Sequence, residues 1–283
     1  MVKDSVPSTS RPKHEENSLS HQHAAAKSVK VAILAGGTGS RLAPATNDKP
    51  KAMITIGGRP ILWHIMMHYA HLGFADFVIA LGHKGDVIRD WVENCGHDAA
   101  PQPRTGDGAP HAAHALAAHW TVQAVDTGLH TESGGRVKRL GPLLQDATFM
   151  LTYCDGLSDI NLRELLAFHR AHGRLATVTA VHPPSRFGHM TLEGDQVIRF
   201  AEKPTLSNTW ISGAYFVLEP PVLDYVEGDG SKWEKEPLER LARDRQLMAY
   251  RHDSFWQCMD TPRERELLES LWRSGQAPWK VWR

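Results

Sequence analysis

Three observations predict an α/β fold in which a mostly parallel sheet is covered by helices on both faces. Apolar runs of β type alternate with helical segments as far as residue 181. The first of those runs ends in a glycine-rich turn, Gly36-Gly37-Thr38-Gly39. Beyond residue 181 the pattern changes to short strands with fewer helices between them.

Taken in order, residues 29–35 predict a buried strand. Residues 60–69 predict a helix with proline in its first turn and Gly73 as its stop. A second strand covers 77–81, and Gly82-His83-Lys84-Gly85 turns into a helix ending near Glu93. Residues 94–119, rich in Gly, Pro, Ala and His, carry no assignable pattern. Strands follow at 121–125 and 147–153, then a helix at 162–172 that Asn161 caps, with Glu164 three residues on. Residues 175–181 predict a further strand. Short strands are expected at 189–192, 197–201, 211–218, 247–251 and 255–259. The last helix opens on Thr261-Pro262-Arg263-Glu264, which combines an N-cap, a proline at the first position and a capping-box glutamate. Residues 1–28 are Ser-, Lys- and His-rich with almost no large apolar side chains, so they read as a disordered tail, His21 and His23 included. The expected organisation is therefore a tail, 1–28, and one domain, 29–283.

Composition narrows the class. Lys and Arg number 32, as do Asp and Glu. That balance argues against bulk binding to nucleic acid or an anionic membrane. No apolar run is long enough to span a bilayer, and no secretory h-region opens the chain. Three widely spaced cysteines predict a reducing compartment without a disulfide framework. These features fit a soluble cytoplasmic enzyme.

The chemistry concentrates after the first strand. Glycines let backbone N–H groups approach an anion closely, because no Cβ intervenes. Arg41 and Lys51 add fixed positive charge, and Ser40 adds a hydroxyl donor. The turn lacks the Gly-Lys-Ser/Thr ending of a P-loop, and Leu42 holds the place of the third glycine of the dinucleotide fingerprint. A nucleoside triphosphate is the simplest occupant, and solvated surface charge is the plainer alternative for Arg41 and Lys51. Asp155 and Asp260 each follow a predicted strand, where α/β sheets bind ligands. Magnesium prefers one or two carboxylates together with phosphate oxygens and water, which two such aspartates suit. Helix capping is the alternative for both, although Thr261 already fills that role beside Asp260. Among the tryptophans, Trp256 is the candidate pocket wall.

The string from Leu34 to Leu42, followed by Pro50-Lys51, resembles the signature of the sugar-1-phosphate nucleotidyltransferases. Residues 56–69, 82–85, 125–139, 152–159, 202–204, 233–238, 255–261 and 277–282 narrow the resemblance to the glucose-1-phosphate cytidylyltransferases. It spans about residue 30 to the C-terminus, apart from 94–119. The resemblance implies a Rossmann-like sheet with a smaller, β-rich sugar-binding lobe, and homo-oligomers. The implied reaction joins CTP and α-D-glucose 1-phosphate into CDP-glucose and pyrophosphate with Mg2+, for deoxysugar or surface-polysaccharide synthesis. It further implies that Leu34, Ala35, Gly36, Gly37, Thr38, Gly39, Ser40, Arg41, Thr131, Arg136 and Cys154 contact the nucleotide. Lys51, Glu202, Lys203, Gly213 and Trp256 contact the sugar phosphate, Asp155 and Asp260 hold the metal, and Arg41 and Lys51 serve catalysis. Cytosine presents adjacent acceptors, O2 and N3, that an Arg136 fork could meet, with Gly134 and Gly135 letting the base approach. The chain departs from the family pattern at Ala52, Cys154, Ser212, Ala214 and Cys258, and the changes at Cys154, Ser212 and Ala214 leave another base (UTP or dTTP) or another sugar phosphate open. An inactive nucleotide-sensing protein is the alternative of a different class. Retention of Arg41, Lys51, Asp155, Lys203 and Asp260 together argues against it.

Overall fold

The first strand, β1 (Lys30–Leu34), is apolar at every position after its lysine, as a strand covered on both faces requires. Val31 and Ile33 enter one core, Ala32 and Leu34 the other. The computed structural model of the chain describes residues 28–94, 120–183, 187–202 and 209–282. The expected tail, apart from residue 28, and nearly all of the unassigned stretch 94–119 lie outside the described residues.

The remaining strands are β2 (Thr55–Ile56), β3 (Arg59–Pro60), β4 (Asp76–Leu81), β5 (Thr121–Asp126), β6 (Phe149–Tyr153), β7 (Gly156–Ser158), β8 (Ala176–Val181), β9 (His189–Glu193), β10 (Gln196–Ala201), β11 (Ile211–Leu218), β12 (Leu247–His252) and β13 (Trp256–Cys258). Seven of them form one sheet in the order β12-β8-β11-β6-β1-β4-β5. All neighbours pair in parallel except β11, which runs antiparallel to both β6 and β8. The mostly parallel sheet predicted from sequence is therefore present.

The helices are α1 (Ile61–His71), α2 (Gly85–Asn94), α3 (Ser133–Arg139), α4 (Gly141–Leu144), α5 (Leu162–His172), α6 (Glu236–Arg243) and α7 (Pro262–Arg273). Ile61, Ile88, Leu165 and Leu268 carry α1, α2, α5 and α7 into the first core. Val137, Leu144 and Leu241 carry α3, α4 and α6 into the second, on the other face. Asn161 accepts from the N–H groups of Arg163 and Glu164, and Thr261 and Glu264 complete a capping box, both as predicted. The antiparallel pair β9–β10 stands apart from the main sheet. Met190, Leu192, Val197, Ile198 and Phe200 on it are exposed. No helix among the described residues is long and apolar enough to cross a membrane.

This topology positions the site. β1, β4 and β6 run parallel and adjacent, so their carboxyl ends meet at one edge of the sheet. Those ends deliver the glycine-rich turn, the 82–85 turn and Cys154-Asp155 to one place.

Candidate active site

A cleft of about 320 Å³ opens at that edge. Leu34, Gly36, Gly37, Thr38, Gly39, Ser40, Arg41 and Lys51 line one end, and Thr131, Arg136, Cys154, Asp155 and Asp260 also face it. Ala35 lies directly beneath, buried, with its N–H on Ala80 O at 3.0 Å. Sequence reasoning had not singled out Glu132, Ser133 or Tyr153, which line the same cleft. Tyr153 closes β6 two residues before Asp155; its place at a strand's carboxyl end was the available signal.

The glycine turn is shaped by what crowds it. Gly39 has a φ of 63°, and a Cβ there would come within 3.0 Å of the Lys51 Cβ. Around Gly37 nothing lies within 4 Å of a notional Cβ, so its backbone is open to a ligand. A Cβ on Gly36 would fall 2.3 Å from the Arg136 guanidinium carbon.

That last contact reassigns Arg136. The side chain is 5% exposed, and its Nη1 donates to Leu81 O (2.8 Å), Thr127 Oγ1 (2.7 Å) and Gly128 O (2.8 Å). Its Nη2 donates to Gly36 O at 3.3 Å. Arg136 therefore bolts the glycine turn to the loops after β4 and β5, and its fork is not free to meet a base edge. Gly134 and Gly135 likewise serve packing: a Cβ on either would lie 2.8 Å from Ser231 O or 2.6 Å from Asp229 Cα. They admit the 229–231 backbone, not the nucleobase.

The charged centre is built by register. β13 pairs antiparallel with β7, Cys258 opposite Gly156, which places Asp260 beside Asp155. Met259 N donates to Asp155 O at 2.8 Å and locks that alignment. Lys51, in a buried helical turn (Lys51–Met53), donates from Nζ to Asp155 Oδ2 at 2.6 Å and to Asp260 Oδ1. Arg41 Nη1 lies 3.1 Å from Asp260 Oδ2. Burial works to lower the Lys51 pKa, but the Asp155 charge and the hydrogen bonds to both aspartates outweigh it and hold the group well above the ordinary lysine value. The two cations and two carboxylates sum to zero net charge. An arriving polyphosphate would bring uncompensated negative charge to this neutral centre. Neither aspartate caps a helix: Asn161 and Thr261 do so.

The cysteines that depart from the family pattern are inert in this setting. Burial, with the Asp155 charge beside it, pushes the Cys154 thiol up to about 12. Burial and the Glu264 charge push Cys258 to about 12.

Of the expected sugar-side residues, Lys51 lines the cleft, whereas Trp256, Gly213 and Glu202 stand outside its lining. Trp256 Nε1 donates to Gly213 O at 2.8 Å and lies 3.6 Å from a notional Cβ on Gly156, next to Asp155. Gly213 is there for packing, since a Cβ would meet Val181 Cγ1 at 2.8 Å. Glu202 is exposed just beyond β10, near Gly188. Lys203 lies outside the described residues.

Known proteins carry the same pattern. The MobA-like NTP transferase domain matches residues 31–192, and the nucleotidyl transferase family matches residues 132–269. Glucose-1-phosphate cytidylyltransferase of Salmonella typhi is 44% identical over 256 residues, covering 90% of this chain and all of that protein. The enzyme of the same name from Salmonella typhimurium matches at the same identity and coverage. Among solved structures, apo UDP-glucose pyrophosphorylase superposes with a TM-score of 0.66 at 14% identity, over 88% of this chain and 99% of that one, a likeness of fold. With a glycine-lined cleft at the strand ends and relatives aligned along their whole length, the chain belongs to the nucleotidyltransferases, in the glucose-1-phosphate cytidylyltransferase family.

Proposed function

We propose that the chain transfers the cytidylyl group of CTP to the phosphate of α-D-glucose 1-phosphate, giving CDP-glucose and pyrophosphate. The observation that carries this is the convergence of Lys51 on Asp155 and Asp260 at the mouth of the glycine turn. The names of the aligned relatives supply the base and the sugar. A sugar-phosphate oxygen attacks the α-phosphorus; a P–O bond forms there as the bond to pyrophosphate breaks. Both reactants are polyanions, so catalysis is mainly positioning and neutralisation. The open backbone of Gly37, the Ser40 hydroxyl and Arg41 receive the β- and γ-phosphates. Lys51 supplies a cation between the two substrates.

Asp155 and Asp260 would hold Mg2+. The donor set fits, because both carboxylates already turn to a single cation, the Lys51 ammonium. When bound, the metal adds positive charge to the phosphates. Thr131 lines the cleft toward the nucleotide, and Trp256 with Gly213 and Glu202 borders the sugar side, with Lys203 as its expected phosphate contact.

The test is a panel of triphosphates crossed with sugar 1-phosphates, read by pyrophosphate release. CTP with glucose 1-phosphate should give the highest kcat/KM. EDTA should abolish turnover, and Asp155→Asn and Asp260→Asn should each lower kcat by about a hundredfold or more while folding persists. Best turnover with UTP or dTTP would overturn the cytidine assignment and leave nucleotidyl transfer standing. Near-normal rates in both aspartate variants would remove them as metal ligands.

A further inference from the structure

One wall of the cleft, where Tyr153 pairs with Leu34 at the end of β1, carries two hydroxyls whose protons point the same way. Ser133 Oγ donates to Glu234 Oε2 at 2.9 Å, and Tyr153 Oη donates to Glu234 Oε1. Ser133 and Tyr153 line the cleft; Glu234 does not. Glu234 arrives from a distant part of the chain, on the segment before α6. That segment is fixed in place: Trp233 N donates to Ser133 Oγ at 2.9 Å, Glu132 N donates to Asp229 O at 2.8 Å, and Gly135 N donates to Ser231 O at 3.2 Å. Trp233 is fully buried beside Phe216 in the second core.

A carboxylate can only accept. A hydroxyl that gives its proton to one therefore offers nothing but lone pairs in every other direction. We propose that Glu234 fixes the polarity of Ser133 and Tyr153 so that this wall accepts the exocyclic amino group of cytosine and rejects the carbonyl of uracil or thymine. The proposal rests on the cytidylyl-transfer reading, which puts the phosphates on the glycine turn and leaves the base for this wall beside the end of β1. It also supplies the base discrimination that Arg136 cannot give, its fork being held by backbone oxygens. Cytosine and uracil differ at the 4-position by an amino donor against a carbonyl acceptor. Lone pairs facing the uracil carbonyl leave a desolvated acceptor with no proton, the mismatch that polar sites reject most strongly. Glu234 is a positioning residue here; the atoms that meet the base are the two hydroxyl oxygens.

The substitution Glu234→Gln separates polarity from structure. A glutamine amide accepts at one end and donates at the other. One hydroxyl then receives an N–H, and its own proton is released toward the cleft, where a uracil carbonyl can take it. The expected result is a rise in kcat/KM for UTP in absolute terms, a fall for CTP, and a drop of about tenfold in the CTP-to-UTP ratio. A residue that merely supported the loop would lower both substrates together. Tyr153→Phe removes one acceptor without touching the 229–234 backbone, and it carries the test if the glutamine variant fails to fold. It should lower kcat/KM for CTP by about fivefold with a much smaller change for UTP. A wild type that prefers CTP, with a ratio unchanged to within about twofold in both variants, overturns this proposal alone. A wild type that uses UTP as well as CTP overturns the cytidine reading and this proposal with it.

Discussion

The Arg136 guanidinium answers carbonyl oxygens from three separate segments, at residues 36, 81 and 128, together with the Thr127 hydroxyl. Only a planar group with five donors can do so at once, and a lysine ammonium on its flexible stem cannot. Arg136→Lys should therefore leave buried carbonyls unpaired. The expected loss of unfolding free energy is about 2–4 kcal/mol, measured by urea denaturation. Because those carbonyls include Gly36 O, the KM for the triphosphate should rise more than that for the sugar phosphate. Gly36→Ala should reproduce the effect, since its Cβ would fall 2.3 Å from the guanidinium. Wild-type stability in the lysine variant would show that the segments hold without the fork. The family resemblance assigns Arg136 to the nucleotide, but a sequence cannot show that its donors are engaged. Its partners lie up to 100 residues away in the chain. Lys51, Asp155 and Asp260 were legible because each follows a strand or a glycine turn, and β strand ends converge by topology.

Elements were legible where their signals are local. α5 and α7 carry caps that work within four residues, and the bounds of α5 and the start of α7 emerge from sequence alone. α3 was not: Gly134 and Gly135 are poor helix formers, and the helix forms there because the 229–231 backbone packs on those glycines. β11 matched its expected span, yet it holds an irregularity that composition hides. Its pairing with β8 shifts register between Ser212 and Phe216, and Ala214 within that bulge has a φ of 63°. An L-residue with a Cβ is strained there by about 1 kcal/mol, a conformation that glycine adopts freely. Ala214→Gly should therefore stabilise the protein by about 0.5–1 kcal/mol in urea titrations. Pairing between β11 and its neighbours is expected to persist. Destabilisation by the glycine would mean that the Ala214 methyl contributes more by packing than the backbone loses by strain.

At the scale of the whole molecule, the chain's last described segment closes the first core over α1. Trp279 and Trp282 are buried against that helix, and Trp279 Nε1 donates to His64 Nδ1 at 3.3 Å. The other His64 nitrogen, Nε2, donates to Ile56 O at 2.9 Å, and His68, one turn on, meets Ile160 O at 2.9 Å. These histidines are built in as neutral rings. Burial, reinforced by the Arg59 charge, draws His64 down to about 4; burial draws His68 to about 4 as well. The unfolded chain keeps both near the ordinary value of about 6.5. Between those limits the unfolded state binds more protons than the folded one, so stability rises with pH. The contribution is complete above pH about 6.5 and is lost as pH falls toward about 4. Each histidine adds a slope of up to about 1.4 kcal/mol per pH unit, so the pair approaches roughly 3. His252 works the other way: burial lowers its pKa, but the hydrogen bond to Asp159 prevails and raises it, so its share is lost as pH rises. The net expectation is a steep fall in unfolding free energy between pH 6.5 and 5, measured by urea denaturation at several pH values. His64→Gln can keep a donor toward Ile56 O and an acceptor toward Trp279, without a titrating ring. It should be less stable than wild type at pH 7.5 and show a slope shallower by about 1 kcal/mol per pH unit. An unchanged slope in that variant would show that the ring under the C-terminal tryptophans takes up its proton without opening the core.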